Sequence, residues 1–448
     1  MDEPTLFPLP PSLPPAPSAP AGVGPRVQQP NRIQVEWRPV ALDHLLPPDH
    51  RARLVWRFVE QLHLAPLYAR IEAVAGAPGR PPIDPAILMG LWLYATLEGV
   101  GSARALDRLC SEHVAYQWLC GGVSVNYHTL ADFRVQHTAT LDELLTQSVA
   151  ALLHAGVVDL STVTQDGYKV RASAGASSFR RRATLQQCLR TARRQVRRLR
   201  REVERDPGAV TRRQQAAQER AAQEREERAR AALAHVATLA QAKQAQRSHN
   251  PREPRASSTD PEARVMKLSD GGYRPAYNLQ FARALEAPIV VGVAVTNAGC
   301  DFGQLPPMLA QVQARYGRTP ATVVTDGGFA KMADLVTLSA PPYACTVIAP
   351  VQKPRKRGQD PYAPRPGDPP AVRAWRERMA TPAAQALLRQ RPGAAEWVNA
   401  QVSNRGLRRV VVRGLAKVRA VALWHALAIN LLQGSALRAA AAAAAAAT

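Results

Sequence analysis

Residues 163–187, VTQDGYKVRASAGASSFRRRATLQQ, open on a short apolar, β-branched run and meet one acid, Asp166, followed by Gly167. They then turn basic at Lys169, Arg171, Arg180, Arg181 and Arg182. The run predicts a β-strand that ends at Asp166. An Asp before Gly ordinarily makes a turn. An acid that holds a metal ion against a polyanion at a strand end has the same local sequence. The pattern returns at residues 321–328, ATVVTDGG, where a second predicted strand ends at Asp326. Ligand sites of open α/β sheets lie beyond strand ends, so two such acids can converge. Each alone reads as a turn; as a pair in a basic chain they favour a metal site.

Hard divalent cations take oxygen ligands. Two ions about 3.5–4 Å apart can activate an attacking oxygen and stabilise a leaving one. A third carboxylate would complete the set. The preferred candidate is Glu396 in RPGAAEWVNAQVSNRG (391–406), read as lying just inside a helix that starts after Pro392 and Gly393. The basic run NRGLRRVVVRG follows at once. A helix N-terminal acid favoured by the macrodipole is an equally good reading of Glu396. Glu377 in AWRERMA is the runner-up. Asp301 reads as a loop acid or helix cap, and Asp260 and Asp270 as loop acids. His425 reads as a packed core histidine, and His128 as a cap or DNA contact.

The 448 residues carry 58 Lys plus Arg against 35 Asp plus Glu, a net charge of +23, with a pI near 10.7. Such an excess points to a polyanionic partner, nucleic acid first. Aromatic residues make up 5%, which argues against gripping single strands mainly by base stacking. None of the five cysteines forms a CxxC pair, so a zinc site of the usual spacing and a disulfide framework are both unexpected. A reducing cytoplasm fits best. The N-terminus lacks the charged start and apolar core of a signal peptide. LWHALAINLLQ is apolar but short for a membrane span.

Residues 1–32 are Pro-rich and read as a disordered leader. From 33 to 156 the pattern is helical, with Asp84 and Ser102 as expected caps and Arg104, Arg108 and Arg134 as candidate phosphate contacts. DNA-end recognition and a dimerisation or packing module are equally open for this part. Residues 157–434 read as an α/β domain around one mixed sheet. A charged helical hairpin, about 184–248, is inserted after its first strand. In the hairpin, Leu185, Leu189, Ala192, Val196, Leu199 and Val203 form a heptad seam, and Asp206, Pro207 and Gly208 a turn. A solvated face is the simpler reading of its charges, and DNA contact by the Arg-dense first helix the alternative. Residues 435–448 are an Ala-rich tail.

Several long motifs, in order, resemble bacterial insertion-sequence DDE transposases. The similarity spans roughly residues 33–432. LPPDHRARLVWRFVEQLHLAPLYARI, PPIDPAILMGLWLYATLEGVGSARALDRLC and NYHTLADFR resemble an InsH-type helical domain. TQDGYKVRASAGASSFRR and VVTDGGF resemble the first- and second-aspartate motifs. DPEARVMKLSDGGYRPAYNLQ and VTNAGCDFGQLPPML resemble the strands and loop between them. EWVNAQVSNRGLRRVVVRGLAKVRAVALWHALAINLL resembles the segment with the final glutamate. Tyr168, Trp397 and Asn399 depart from the usual pattern.

The resemblance implies an RNase H-like catalytic core, with Asp166, Asp326 and Glu396 as a triad binding two Mg2+ or Mn2+ ions. Asp166 and Asp326 are 160 residues apart, and Asp326 and Glu396 70, the first gap being long because it holds the hairpin. Lys169, Arg171, Arg405, Arg408, Arg413 and Lys417 are the expected DNA-phosphate contacts. The implied activity is cleavage of element ends followed by strand transfer into target DNA. It would be carried out by a homodimer or larger assembly on double-stranded DNA in a bacterial cytoplasm. The rivals are a nuclease that only hydrolyses and a DNA-binding remnant without chemistry.

Overall fold

The structure, a computed structural model, describes residues 41–72, 81–205, 212–245, 253–352 and 359–447. The expected Pro-rich leader and the Asp206–Gly208 turn lie outside these residues. The chain divides into two compact units, Met1–His44 and Leu45–Thr448. Of the first, the described residues only open a single 3-10 turn, Leu42–Leu45.

The second unit starts with helices alone. They are α1 (Arg51–Glu60), α2 (Ala65–Tyr68), α3 (Pro85–Leu97), α4 (Ala103–Glu112), α5 (Val114–Cys120), α6 (Tyr127–Gln136) and α7 (Thr138–His154). Their starts follow capping chemistry. Asp84 accepts from the Ala86 N–H at 2.8 Å, Ser102 from Ala105 at 3.4 Å and Asn126 from Thr129 at 3.0 Å. Every residue of α3 but Ala86 is buried.

The sheet comes next. Its first strand is β1 (Thr162–Arg171), and a two-residue strand β2 (Phe179–Arg180) leads into the hairpin helices α8 (Arg182–Arg205) and α9 (Arg212–Ala245). β3 (Ala256–Ser257) closes the hairpin root by pairing with β2. Then follow β4 (Arg264–Lys267), β5 (Tyr273–Ala284), β6 (Val290–Thr296), α10 (Leu305–Tyr316), β7 (Thr322–Val324), α11 (Met332–Ser339) and β8 (Thr346–Ile348). The main sheet runs β4-β5-β1-β7-β8, with β6 also paired to β5. β1 is antiparallel to β5 and parallel to β7, and β7 is parallel to β8. This is the expected mixed α/β sheet.

Three helices finish the unit: α12 (Pro370–Met379), α13 (Pro382–Asn404) and α14 (Leu415–Ala446). Here the structure departs from the expected boundaries. α12 ends at Met379, and after Ala380 Thr381 caps α13 and Pro382 takes its first position. Pro392 lies inside α13, so Glu396 is an interior residue and no N-terminal macrodipole acts on it. The buried stripe Ala394, Ala395, Val398 and Val402 holds the helix against the sheet despite the proline.

By length and composition α14 would suffice to cross a membrane, yet 67% of its most apolar window is buried inside the protein. It packs on α3, α6, α7 and β6. Trp424 donates to the Arg134 carbonyl at 3.0 Å, and Trp92 of α3 to that of Leu130 at 2.9 Å. Asn430 holds both backbone groups of Val290, at 2.8 and 2.7 Å, beside the register shift between β5 and β6. The first seven helices thus share one hydrophobic core with α14 and the sheet.

The hairpin is antiparallel. Leu185 near the start of α8 packs with Ala232 and Val236 of α9 and with Ala256, a cluster separate from the main core. Arg193 and Glu226 pair across it at 3.3 Å. The predicted seam holds at Leu185, Ala192 and Leu199, which are buried, and at Leu189 and Val196, which are half-buried.

Candidate functional site

Asp166 does not end its strand. β1 continues five residues beyond it to Arg171, because β5 pairs along the whole stretch with Phe281 opposite Asp166. What ends at this point is the other edge: β7 pairs with β1 only from Thr162 to Thr164. Asp166 is therefore mid-strand on one side and at an open step on the other. Asp326 lies two residues past β7 and caps the 3-10 turn Gly327–Phe329 by accepting from the Gly328 N–H at 2.8 Å.

α13 brings a cation to both acids. One guanidinium nitrogen of Arg391 lies 3.5 Å from Asp166 Oδ1 and 3.8 Å from Asp326 Oδ2. Two turns further along, Asn399 Nδ2 donates to Asp166 Oδ2 at 3.0 Å. The Gly167 N–H donates to Asp166 Oδ1 at 2.9 Å. Burial pushes the Asp166 carboxyl up to about 6. Arg391 and the Gly167 N–H pull it down, while the negative charges of Asp326 and Asp301 push it further up. Arg391 Nε and Asn399 Oδ1 are buried without a hydrogen-bond partner.

Successive side chains of a strand point to opposite faces. On the Gly167 side of β1 stands Asp301, whose Oδ1 accepts from Asn278 at 2.8 Å and from Gln280 at 2.7 Å. It lies so close to Gly167 that a Cβ there would meet Asp301 Oδ1 at 2.4 Å. Asp301 is thus a packed acid against the strand that carries Asp166, and its side chain does not cap α10.

Glu396 is exposed on α13, three residues before Asn399, and Glu377 is exposed on α12. The structure joins Asp166 with Asp326 through Arg391 and leaves Glu396 outside that contact. Among the described residues no group of three or more His, Cys, Asp or Glu is placed to hold a metal ion.

The basic residues gather at the end of β1. After α13 the chain turns at Gly406 (φ 81°), where a Cβ would meet the Gly99 carbonyl at 2.9 Å. It then runs beside β1: the Arg171 N–H donates to the Arg408 carbonyl at 3.2 Å, and Val410 donates to that of Arg171 at 2.9 Å. This puts Arg171, Arg408 and Arg409 together, all exposed. Arg171 also pairs with Asp270 at 3.7 Å. Arg413 is exposed and donates to the Ser173 carbonyl at 3.3 Å. Lys417 is exposed on the first turn of α14, and Lys169 is half-buried opposite Asn278. Arg405 is half-buried and folds back onto Gln401 of its own helix.

Other candidates find structural roles. Arg134 is buried, 4.7 Å from the Trp92 ring centre, and so is no phosphate contact. Arg104 lies over Tyr127 and Arg108 pairs with Glu112. His425 is a core histidine, as expected, with burial holding its imidazole down at about 3. Asp260, read as a loop acid, is fully buried. It accepts from the Tyr277 hydroxyl at 2.6 Å and the Gly414 N–H at 3.2 Å, at the start of α14. Glu262 accepts from the next N–H, Leu415, at 2.9 Å.

Arg391 and Asn399 were not anticipated. Their spacing of eight places both on one helical face, but that face is visible only once α13 is known to run through Pro392.

No curated protein and no solved structure matches the chain. Residues 40–136, which hold α1 to α6, match the model of a family described as a transposase domain (DUF772). The match covers about a fifth of the chain and supports a transposase-related family.

Proposed function

We propose that the protein is a DNA transposase of the DDE type, which cuts the ends of its element and joins them to target DNA. The observation that carries the reading is the bridging of Asp166 and Asp326 by Arg391, one acid on β1 and the other just past the adjacent parallel β7, with a cluster of exposed arginines at the end of β1. The mixed sheet, with its long early strands antiparallel and its later ones added in parallel, supports an RNase H-like core. The transposase-domain match supports the assignment from the other end of the chain.

The donor set fits a hard divalent cation. Asp166 and Asp326 offer only oxygen, and magnesium is commonly held by one or two carboxylates together with substrate phosphates. Repulsion between the clustered acids, which helps to raise Asp166, is the field a cation would relieve. Asp166, Asp326 and, from α13, Glu396 would hold the ions, with Glu377 as the fallback for the third place. When bound, two such ions supply activation of the attacking oxygen and stabilisation of the leaving one.

The chain's own residues do the rest. Arg171, Arg408 and Arg413 hold phosphates, giving affinity that is independent of sequence and sensitive to salt. Lys169, Arg405 and Lys417 flank that surface. Arg391 neutralises the acid pair and is in place to meet a phosphate. The first helices contribute to recognition of the ends, and a dimer or larger assembly pairs two ends in the cytoplasm.

One observation favours a second reading. No three-acid group stands together among the described residues, as expected of a remnant that binds DNA without cutting it. Divalent-dependent cleavage and joining of a labelled duplex carrying the element's ends separates the two. Activity in the wild type, lost in Asp166→Asn, Asp326→Asn and Glu396→Gln with DNA binding retained, is the expected result. Binding without chemistry in the wild type would establish the remnant. Cutting without joining would leave a nuclease, and activity surviving only in Glu396→Gln would move the third role to Glu377.

A further inference from the structure

We infer that helix α8 is an arm that grips the backbone of double-stranded DNA along one stripe of arginines; the inference rests on the transposase reading. α8 carries nine arginines against two glutamates. The heptad seam turns Leu185, Ala192 and Leu199 inward, which fixes what the rest of the helix shows to solvent. Arg190, Arg194, Arg197 and Arg201 recur at steps of four, three and four, so they line one face away from the seam. The stripe rises about 16 Å. All four are exposed, and none meets an acid among the described residues.

The partner helix differs. α9 carries six arginines and one lysine against four glutamates, and pairs Arg228 with Glu224 and Arg230 with Glu226 within itself. A merely solvated hairpin would balance both helices alike. Here α9 keeps an excess of three positive charges with two of its arginines paired within it, against an excess of seven on α8.

The second observation is where the arm is rooted. β2 and β3 clamp its base, and Arg181 pairs with Glu253 there at 3.8 Å. The chain reaches this root directly from the end of β1, past Ser173, whose carbonyl takes the Arg413 guanidinium. The arm therefore springs from the end of β1, where Arg171, Arg408 and Arg413 form a basic surface. A ligand following that surface has evenly spaced negative charge over a long distance, which describes a duplex backbone. Duplex DNA presents one charge per about 1.7 Å of axis.

The test compares two fourfold variants of the full chain. One changes Arg190, Arg194, Arg197 and Arg201 to Gln, which keeps helix propensity. The other changes Arg220, Arg225, Arg228 and Arg230 on α9 to Gln and removes the same net charge. Duplex binding is measured from about 50 to 200 mM salt, and circular dichroism checks the helix. Each lost phosphate contact lowers the slope of log K against log salt by about 0.9. The α8 variant is expected to lose two to four contacts' worth of slope and the α9 variant less than one. The fourfold Arg→Lys change in α8 is expected to keep the slope. Equal losses in both variants, or no loss in the α8 variant while the wild type binds, would overturn the arm and leave the transposase reading standing. A loss confined to single-stranded RNA would also overturn it. A wild type that does not bind duplex DNA would overturn both.

Discussion

Asp166 is uncomfortable when charged, and this has a measurable sign. Its folded carboxyl titrates at about 6 against 3.8 in the unfolded chain. The folded protein therefore holds the proton more tightly, and stability falls as pH rises from about 4 to about 6. Above that range the charged form costs the fold about 3 kcal/mol. Asp166→Asn is thus expected to be more stable than the wild type at pH 7.5 in chelator-treated buffer, and equal to it below pH 4. Urea denaturation at several pH values checks this, and a less stable variant at pH 7.5 would refute it. Gly167 is constrained from its other side. Gly167→Ala places a methyl against Asp301, Asn278 and Gln280 and is expected to lose about 1–3 kcal/mol in the same assay. That Asp166 and Asp326 come together was legible because each follows a β-branched run and precedes a glycine. The strand end was not, because the extra length of β1 depends on β5, more than a hundred residues away in the sequence.

Among the elements, α14 depends most on others. Its first N–H groups, at Gly414 and Leu415, are satisfied by Asp260 and Glu262, which come from the segment following the hairpin. Burial raises the Asp260 carboxyl, and the Tyr277 hydroxyl and Gly414 N–H pull it back. Asp260→Ala leaves the Tyr277 hydroxyl without its acceptor, while the Gly414 N–H keeps the Tyr277 oxygen at 3.1 Å, and is expected to cost about 1–3 kcal/mol by denaturant midpoint; Asp260→Asn should recover part of it. No local signal in the sequence marks this cap, since the acid and the helix it serves lie 154 residues apart. α13 was misread for the opposite reason. Pro392 and Gly393 are strong local punctuation, and the buried stripe from Ala394 to Val402 outweighs them. With the helix start misplaced, Arg391 and Asn399 could not be seen to share a face. α8 was legible as a helix with its seam from Leu185 to Leu199, because a heptad seam is itself a local pattern; Val203 lies outside the residues whose side chains are described.

For the whole molecule, the separation of the hairpin's small cluster from the main core predicts modularity. Excising residues 184–248 and closing the gap with a short Gly-Ser link is expected to leave the main calorimetric transition within about 5 °C of the wild type. A fall of more than about 10 °C would show that the hairpin supports the sheet. The alternation of helices and strands made the mixed sheet legible. That the first helices and the sheet share one interior was not, because the joining element is α14. Its Trp424 donates to the carbonyl of Arg134 across 290 residues of chain. This has a consequence for synthesis. On the ribosome, the greasy faces of α3, α6 and α7 emerge hundreds of residues before the helix that covers them. Until α14 has been translated they have no native partner and are open to chaperones or aggregation. A message broken anywhere upstream of Leu415 would therefore yield a product that cannot close its core.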